Sequence, residues 1–425
     1  MNTELSFLFV TLEGGGNVPP MMGLASALRE RGHRVSILAE PCMESTVRGK
    51  GFEFLAFREH FNRTDTATDL FEDTVSPKGE MATMENVVFG PARISFNETL
   101  QAVDAVQPDV LVVDALLPPA LMAAELRGIS RAVIFHLPEY LPGPGRPPGM
   151  LGLKPGKSAF GKLRDRILGK VWTKKLNDFL PKINDIRREN DLPPLSSVMD
   201  LLHQADLRLI TTLKDFDFPI DPAPKNVRYC GPIIDDPHWA DKWQNPWSSN
   251  DDPLIVVGMS STFMSQTNAI HHCIEALNEM QVRGLVTTGP AIDPAQFKST
   301  DKVKVVRAVP HSAVFPFSSA VITHAGHGTV MRALAHGLPM VCMPMGRDQK
   351  DNAVKVEHHG CGVRLSQKAK PQAIRKAVEK VLQDPKYRTH AEKWQQRIHR
   401  SSGAATAADA LVKLGSKAEK VAHVA

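Results

Sequence analysis

The segment from Val321 to Asn352 contains the residues of this sequence that are best suited to chemistry, and it reads VITHAGHGTVMRALAHGLPMVCMPMGRDQKDN. Ala320 to Thr323 is predicted to be a short buried strand, and two glycines, Gly326 and Gly328, follow it closely. Apolar residues at helical spacing begin at Val330, so a helix is predicted to start directly after the glycines. Because the first amides of a helix have no partner within it, they bind phosphate well. The segment therefore predicts a phosphate site at a strand-to-helix turn.

A second strand-to-helix connection follows in the same segment. Met340 to Met343 predicts a strand, which leads through Pro344 and Gly346 towards another helix. Asp348 and Gln349 open that helix, and they offer a carboxylate and an amide to the hydroxyl groups of a polyol. An ordinary strand-helix-strand unit would explain either motif alone. Two motifs in order across successive units favour a ligand site.

This pattern resembles the donor-site signature of the family 1 nucleotide-sugar-dependent glycosyltransferases, which have the GT-B fold, and above all their bacterial natural-product (macrolide-type) branch. The resemblance implies a diphosphate site formed by His324, Gly326, Gly328 and Thr329. It implies a sugar site formed by Asp348, Gln349 and Asn352. It also implies a nucleobase side at Val309 and His311 and a donor-side loop at Ser260 and Ser261. The chain departs from the pattern at Ala308, where many relatives have a Trp that stacks on the base.

The group that would deprotonate an acceptor hydroxyl also departs from the family pattern. In relatives, the loop after the first strand resembles Gly-His-Val-x-Pro, and its His, supported by an Asp after a later strand, removes the acceptor proton. Here the loop covers Gly14 to Pro20 and reads GGGNVPP, with Asn17 in the position of that His. An amide cannot accept a proton near neutral pH, although it can orient a hydroxyl. The usual base is therefore missing.

Three residues are candidates to replace this base. Asp114 follows the fourth predicted strand, as the supporting Asp does in relatives, His136 follows the fifth, and Glu13 lies in the same loop as Asn17. Imidazole exchanges protons readily near neutral pH, so the pair of Asp114 and His136 is the favoured interpretation. Asp114 would act directly only if burial raised its pKa. A packed histidine that merely lines the loop is an equally good interpretation of His136.

Apolar strands alternate with helices in both halves of the chain. Leu5 to Thr11 and Arg34 to Ala39 are predicted strands on either side of a helix from Pro20 to Glu30, and Leu254 begins a second such series. The alternation predicts an α/β fold with parallel sheets covered on both faces. Together with the resemblance, it implies two facing, doubly wound Rossmann-like domains with a ligand-binding cleft between them.

The predicted domain boundaries follow changes in composition. Residues 1–215 are predicted as the N-terminal acceptor-binding domain and residues 251–400 as the donor-binding domain. Residues 216–250, which are rich in Pro and Asp, are predicted as the linker between them. Residues 401–425 are predicted as a C-terminal helix and tail able to cross back to the N-terminal domain, as the resemblance implies.

Three places that suggest a metal ion are interpreted otherwise. Asp215-Phe216-Asp217 is an Asp-x-Asp string, but it lies among prolines without a strand to present it. His271-His272-Cys273 and His358-His359 with Cys361 lack the ligand spacing of a known zinc site. We therefore expect no metal and no cofactor, with a helix N-terminus and His324 opposing the charge of a UDP- or dTDP-sugar co-substrate.

The composition is that of a large enzyme. The 425 residues include 42% hydrophobic side chains, enough for full cores, and the net charge of +5 does not by itself indicate nucleic acid. The five cysteines are scattered, as expected for reduced thiols in the cytoplasm. No secretion signal is expected, and the longest apolar stretch, Val110 to Ala124, is too short to span a bilayer. A cytoplasmic monomer or homodimer is expected.

The segment from Lys157 to Arg188 is strongly basic. It contains ten Lys or Arg and three Asp, an excess of +7, interleaved with apolar residues. One interpretation is an amphipathic helix at a membrane surface. The favoured interpretation is a pair of helices that pack on the N-terminal domain and leave a solvated basic face, because Pro155, Gly156 and Pro181 limit their lengths.

The sequence thus predicts an inverting, metal-independent glycosyltransferase. The expected reaction moves a sugar from a UDP- or dTDP-sugar to a hydroxyl of a small lipophilic acceptor, such as a polyketide, a phenolic or a terpenoid. One alternative, motivated by Asn17, is a catalytically weak auxiliary partner of another glycosyltransferase. Another is a nucleotide-sugar epimerase of the same fold, although the apolar Met and Phe content of the N-terminal half favours an acceptor pocket, which an epimerase does not need.

Overall fold

The computed structural model describes residues 4–66, 70, 79–234, 243–247, 251–259, 262 and 264–422. The chain divides into two units. Unit 1 comprises Met1–Pro148, Pro155–Ile233 and Ser402–Ala425, and unit 2 comprises Gly149–Lys154 and Ile234–Ser401. Each unit is built on its own parallel sheet.

The described part of unit 1 contains a seven-stranded sheet. Its strands are β1 Ser6–Val10, β2 Arg34–Ala39, β3 Glu53–Ala56, β4 Val110–Asp114, β5 Ser130–Phe135, β6 Leu207–Ile210 and β7 Val227–Tyr229. They are parallel and lie in the order β3-β2-β1-β4-β5-β6-β7. β1 and β4 are buried along their whole length, which explains why their residues, apart from Ser6 and Asp114, are apolar on both faces of the sheet.

The register of this sheet brings the carboxyl ends of its central strands to one edge. Val10 at the end of β1 pairs with Leu38 of β2 and Val113 of β4. Asp114 at the end of β4 pairs with Ile134 of β5. The residues that follow β1, β4 and β5 therefore lie at the edge where doubly wound sheets bind ligands.

Helices cover both faces of the unit 1 sheet. They are α1 Val18–Arg29, α2 Glu44–Gly49, α3 Glu80–Thr83, α4 Ala92–Val106, α5 Leu121–Arg127, α6 Ala159–Leu176, α7 Leu180–Glu189, α8 Asp200–His203 and α15 Gly403–Ala422. α1 has prolines in its first turn, where a missing N–H costs no helical hydrogen bond. The chain then reverses at Gly32, whose φ of 84° favours glycine.

The last helix completes the core of unit 1. Ala407, Ala408 and Leu411 of α15 are fully buried in the same cluster as Leu5 and Phe7 at the start of the chain. At the edge of this contact Arg31 forms an ion pair of 2.8 Å with Asp409. The predicted C-terminal helix thus belongs to the unit that also contains the N-terminal strands.

Part of the Pro- and Asp-rich segment 216–250 also lies in unit 1. β7 pairs with β6, and the hydroxyl of Tyr229 donates a hydrogen bond of 2.8 Å to Asp217. Phe216 is fully buried, and Asp217 lies 3.8 Å from Arg146. The Asp-x-Asp string is therefore part of the packing of unit 1. β7 has three residues, too few to give an alternating pattern, and the surrounding prolines favour a loop. The sequence therefore did not predict this strand.

The basic segment forms two helices, α6 and α7, which differ in their packing. α7 buries Ile183, Ile186 and Arg187, as the interpretation of two packed helices requires. In α6, however, the buried residues are Asp165, Gly169 and Leu176, and most of its apolar side chains are exposed. α6 therefore packs on unit 1 through Asp165, Gly169 and Leu176, and the expectation that its apolar side chains form the packed side is wrong. Among the described helices, none has the length and apolar character needed to cross a membrane.

The described part of unit 2 contains a six-stranded parallel sheet. Its strands are β8 Leu254–Gly258, β9 Arg283–Thr287, β10 Val303–Val306, β11 Ala320–Thr323, β12 Met340–Cys342 and β13 Gly362–Arg364. Their order is β10-β9-β8-β11-β12-β13. Thr323 pairs with Gly258 of β8 and Cys342 of β12, so the loops after these three strands begin at one edge.

Six α-helices accompany this sheet in the described residues. They are α9 Thr267–Asn278, α10 His311–Val314, α11 His327–Ala335, α12 Gln349–His358, α13 Pro371–Gln383 and α14 Pro385–His399. A short segment from earlier in the chain joins them, because the backbone amides of Met150 and Gly152 donate hydrogen bonds to the carboxylate of Asp351. Gly149–Lys154 therefore belongs to unit 2, although unit 1 flanks it in sequence.

The contact between α15 and the N-terminal strands can be tested with one substitution. We expect Leu411→Ala to lower the free energy of unfolding by about 2–5 kcal/mol, because it leaves a cavity among fully buried side chains. Lys413→Ala, in the same helix but exposed, is the control. Urea denaturation followed by circular dichroism measures both. Equal midpoints for the two variants would show that α15 does not contribute to the core as described.

Candidate active site

The predicted phosphate site lies at the turn between β11 and α11. Ala325 has a φ of 68°, and its N–H donates a hydrogen bond of 3.1 Å to the hydroxyl of Thr323. Gly326 is the N-cap residue of α11, and an added Cβ at this position would lie 2.4 Å from Nε2 of His324. A side chain at Gly326 would therefore displace the imidazole. The turn brings the helix N-terminus directly after the strand, with Gly328 exposed and Thr329 partly exposed.

His324 is buried beside this turn. Its Nδ1 lies 3.4 Å from the carbonyl oxygen of Gly258. Burial lowers the pKa of His324 to about 4, the hydrogen bond with Gly258 opposes this shift, and the positive charge of Arg347 adds to it. The imidazole is consequently neutral near pH 7 in this structure. Arg347 supplies the permanent positive charge at this edge, and its Nη1 donates a hydrogen bond of 3.1 Å to the hydroxyl of Thr262.

The predicted sugar-binding residues lie at the start of α12. Asp348 is the N-cap residue of this helix and is partly exposed. Asn352 is buried, and its Nδ2 donates hydrogen bonds to Oδ2 of Asp348 at 2.7 Å and to the carbonyl of Ala325 at 2.9 Å. Asn352 thus connects the start of α12 to the phosphate turn.

Gln349 is placed differently from the expectation for a sugar ligand. Its side chain is buried, and its Oε1 accepts hydrogen bonds from the N–H groups of Met345 and Gly346 at 2.8 and 3.2 Å. Its Nε2 lies 3.0 Å from Sδ of Met264. In this structure the amide stabilises the loop before α12. A contact with a sugar would require Nε2 to leave Met264.

The predicted nucleobase side lies at the start of α10. Val309 is buried, and the ring of His311 stacks on Phe315 with a centroid distance of 4.7 Å. Burial lowers the pKa of His311 to about 3, and the neighbouring Arg332 and His324 contribute to this shift. Ala308 is buried beside them. The predicted donor-side residues Ser260 and Ser261 lie outside the described residues.

A polar cluster surrounds Asp114 at the sheet edge of unit 1. Oδ2 of Asp114 accepts hydrogen bonds from Nδ2 of Asn17 at 2.7 Å and from the hydroxyl of Thr11 at 3.0 Å. Oδ1 accepts a hydrogen bond of 3.0 Å from the N–H of Leu116. The side chain of Asp114 is fully buried. Asn17, which replaces the histidine of the family pattern, therefore contacts the same carboxylate that would support that histidine.

His136 completes this cluster from the end of β5. Its Nδ1 lies 3.3 Å from Oδ1 of Asp114, within ion-pair distance, although the angles are not those of a hydrogen bond. The His136 side chain is 12% exposed, whereas Asp114 is inaccessible. Burial acts to raise the pKa of Asp114, but His136 and the hydrogen bonds donated to the carboxylate outweigh it, so the pKa lies below the ordinary value. The condition under which Asp114 would itself act as the base is therefore not met.

Glu13, the third candidate, lies in a loop that a buried ion pair stabilises. Burial raises the pKa of Glu13, the N–H of Gly15 and the charge of Arg63 lower it, and the charge of Glu40 raises it. Arg63 donates hydrogen bonds of 2.7 Å and 2.6 Å to the two carboxylate oxygens of buried Glu40. It also donates a hydrogen bond of 2.7 Å to the carbonyl of Glu13. A carboxyl with a raised pKa in this loop is suited to accept a proton.

The sequence interpretation missed Glu40, Arg63 and Arg347. Glu40 follows β2 directly, so the rule that polar residues at the carboxyl ends of central strands gather at one edge would have found it. Arg347 lies between Gly346 and Asp348, and a basic residue beside a predicted phosphate site was an available signal. Arg63 gives no such signal, since no strand or helix of the structure contains it.

Comparison with known proteins agrees with this geometry. The profile of the family described as UDP-glucoronosyl and UDP-glucosyl transferase matches residues 170–404. The chain is 27% identical to 4'-demethylrebeccamycin synthase of Lentzea aerocolonigenes over 395 residues, which cover 90% of this chain and 93% of that protein.

Two solved structures share the fold. The glycosyltransferase of kitacinnamycin superimposes with a TM-score of 0.78 at 20% identity, over 97% of this chain and 100% of the other. The glycosyltransferase VinC, solved in complex with dTDP, superimposes with a TM-score of 0.66 at 17% identity, again over 97% of this chain and 100% of the other. Because the family profile spans more than half of the sequence, this chain belongs to the UDP-glucoronosyl and UDP-glucosyl transferase family, and it is a glycosyltransferase with the GT-B fold.

Proposed function

We propose that this protein is an inverting, metal-independent glycosyltransferase that moves a sugar from a UDP- or dTDP-sugar to a hydroxyl of a small lipophilic acceptor, such as a polyketide, a phenolic or a terpenoid. The observation that carries the proposal is the turn from His324 to Gly326. This turn leaves no room for a side chain at Gly326 and opens the N-terminus of α11 directly after β11. A cytoplasmic location is part of the proposal, since the five cysteines are free thiols.

The donor diphosphate would bind at the first turn of α11. The amides of Gly328 and Thr329 belong to that turn, where the helix dipole favours negative charge. Arg347 adds a permanent cation, whereas neutral His324 would hydrogen-bond to the phosphate oxygens or take up a proton as the anion binds. These groups would stabilise the negative charge that develops on the departing diphosphate without a metal ion.

The transfer itself is a single displacement at the anomeric carbon. The acceptor oxygen forms a bond to this carbon on the face opposite the diphosphate, so the configuration inverts. The bond between the anomeric carbon and the diphosphate oxygen breaks, and its electron pair stays on the departing nucleoside diphosphate. The proton of the acceptor hydroxyl must go to a base.

His136 is our proposed base. Asp114 is held in its ionised form by its hydrogen bonds and by His136, so it would orient the imidazole and stabilise it once protonated. Asn17 would keep Asp114 in place and orient the acceptor hydroxyl. Glu13 is the competing candidate, because burial raises the pKa of its carboxyl.

A product assay tests the proposed reaction. Purified protein is incubated with a panel of UDP- and dTDP-hexoses and a mixture of phenolic and macrolide acceptors, and products are identified by mass and by the anomeric coupling in NMR. We expect glycosides of inverted configuration. An auxiliary protein gives no glycoside, and nucleoside diphosphate or an epimerised sugar with unchanged acceptor would replace the proposal with hydrolysis or epimerisation.

Calorimetry with UDP and dTDP tests the metal-free donor site. We expect binding that persists in EDTA and weakens by about tenfold or more in Gly326→Ala, the equivalent of losing one charge-assisted hydrogen bond. Gly49→Ala is the matched control, since an added Cβ there meets nothing within 4 Å. Loss of binding in EDTA would refute metal independence, and equal affinities for the two variants would refute the role of the turn.

Turnover of substituted enzymes tests the proposed base. We expect His136→Ala and Asp114→Asn each to lower kcat by about 10²-fold or more, the usual effect of losing a general base, with unchanged affinity for UDP. His399→Ala, an exposed histidine in α14, is the control.

Two further variants separate the candidates. Asn17→His combined with His136→Ala restores the histidine of the family pattern beside Asp114, and we expect it to regain part of the lost rate. If Glu13→Gln abolishes turnover while His136→Ala retains it, Glu13 is the base.

A further inference from the structure

We infer that the outer face of α6 is a docking surface for the anionic surface of a lipid bilayer. Four apolar residues of this helix are exposed: Phe160 by 86%, Leu163 by 47%, Ile167 by 51% and Val171 by 59%. Their spacings of three and four residues place them on one side of the helix. Single exposed apolar residues are ordinary on protein surfaces, but four on one helix face form a continuous stripe. We call these four residues the α6 stripe.

The opposite side of α6 is attached to unit 1, which fixes the direction of the stripe. Asp165 is buried and accepts a hydrogen bond of 2.7 Å from the N–H of Gly156. An added Cβ at Gly169 would lie 3.3 Å from Cβ of Pro142, and Leu176 is buried. Ser158 caps the helix by accepting a hydrogen bond of 3.1 Å from the N–H of Gly161. These contacts fix the opposite side of α6 against unit 1, so the α6 stripe faces solvent.

Cationic side chains border the stripe. The exposed ones on α6 are Lys162, Arg164, Arg166, Lys170, Lys174 and Lys175. Arg164 pairs with Asp165, whereas the other five form no ion pair with any residue that the structure describes. Asp165 is the acidic residue of the helix, and it lies on the attached side. The solvent side of α6 thus combines apolar residues with uncompensated positive charge.

The combination of exposed apolar residues and uncompensated positive charge indicates which partner binds the outer face of α6. An amphipathic helix with apolar residues and flanking Lys or Arg lies in the plane of a bilayer, where apolar side chains enter the acyl boundary and the cations contact anionic headgroups. A second copy of this chain would bring the same positive charges together, which disfavours it. The length and polarity of α6 are those of a helix that lies on a membrane, and no described helix crosses one.

The inference is independent of the proposed function, because α6 contains none of the donor-binding or base residues. Its test therefore needs no substrate. Purified full-length protein is mixed with vesicles of phosphatidylcholine alone or with added phosphatidylglycerol, and the vesicle-bound fraction is measured by sedimentation at low and high salt. We expect binding to the anionic vesicles that decreases with salt, and little binding to neutral vesicles.

Two triple variants probe the two components of the surface. We expect Phe160→Ser with Ile167→Ser and Val171→Ser, and separately Lys170→Gln with Lys174→Gln and Lys175→Gln, each to lower the bound-to-free ratio by about tenfold or more. The control for the apolar variant is Phe317→Ser, since Phe317 lies in unit 2 and is 64% exposed. The control for the charge variant combines Lys376→Gln, Lys380→Gln and Lys386→Gln, since these lysines are exposed and form no described ion pair. Circular dichroism checks that each variant is folded.

A fluorescence measurement determines which side of the protein faces the lipid. Phe160→Trp should add tryptophan emission that brominated lipids quench in anionic vesicles, whereas Phe317→Trp should add emission that they do not quench. The inference would be overturned if the wild-type protein stayed in the supernatant with every vesicle, or if the stripe variants bound vesicles as the wild type does. It would also be overturned if the stripe variants changed in molar mass without a change in vesicle binding, because the α6 stripe would then form contacts between copies of the chain.

Discussion

The close approach of His324 to Gly326 is the constraint on which the arrangement at this edge of unit 2 depends. A left-handed residue, Ala325, turns the chain between them, and the absence of a side chain at Gly326 allows the imidazole to lie against the first turn of α11. Asn352 then connects this turn to the start of α12 through the carbonyl of Ala325. One backbone reversal thus sets the positions of two helix N-termini, and hydrogen bonds within the protein hold the side chains around it.

The central feature of the polar cluster in unit 1 is a buried negative charge, that of Asp114. Asp114 has no access to solvent, and it is stabilised in its ionised form by three donors, two from the loop between β1 and α1 and one from the backbone N–H of Leu116. In the family pattern a histidine occupies the place of Asn17. Here the amide takes up one side of the carboxylate and His136 approaches the other. The carboxylate of the family pattern is thus present in this chain, but the imidazole near it is that of His136, which follows β5.

Strands and the order of motifs were predictable because parallel sheets buried on both faces require continuous apolar runs. The predicted strands Arg34 to Ala39 and Ala320 to Thr323 agree with the structure to the residue. Short elements were not predictable in this way. β7 has three residues, too few for a pattern, and its pairing with β6 depends on a tertiary context that the prolines around it conceal.

The direction in which side chains point was the second feature that the sequence could not predict. The apolar residues of α6 have the spacing of a packed helix, but its buried side is formed by Asp165, Gly169 and Leu176, with Asp165 hydrogen-bonded to the loop before the helix. Gln349 is predicted as a sugar ligand from its place in the motif, but the hydrogen bonds between its amide and the loop before α12 could not be predicted from spacing. Spacing predicts which residues share a face, whereas hydrogen-bond partners decide which way that face points.

The position of α15 in the core has a consequence for synthesis on the ribosome. Leu5 and Phe7 are translated before most of unit 2, whereas the helix that covers them is translated after it. Unit 2, apart from six residues, is continuous in sequence, and its described strands all precede α15. A nascent chain therefore carries the whole of unit 2 while the strands that contain or adjoin Leu5 and Phe7 still expose apolar surface, the condition in which polypeptides most depend on chaperones.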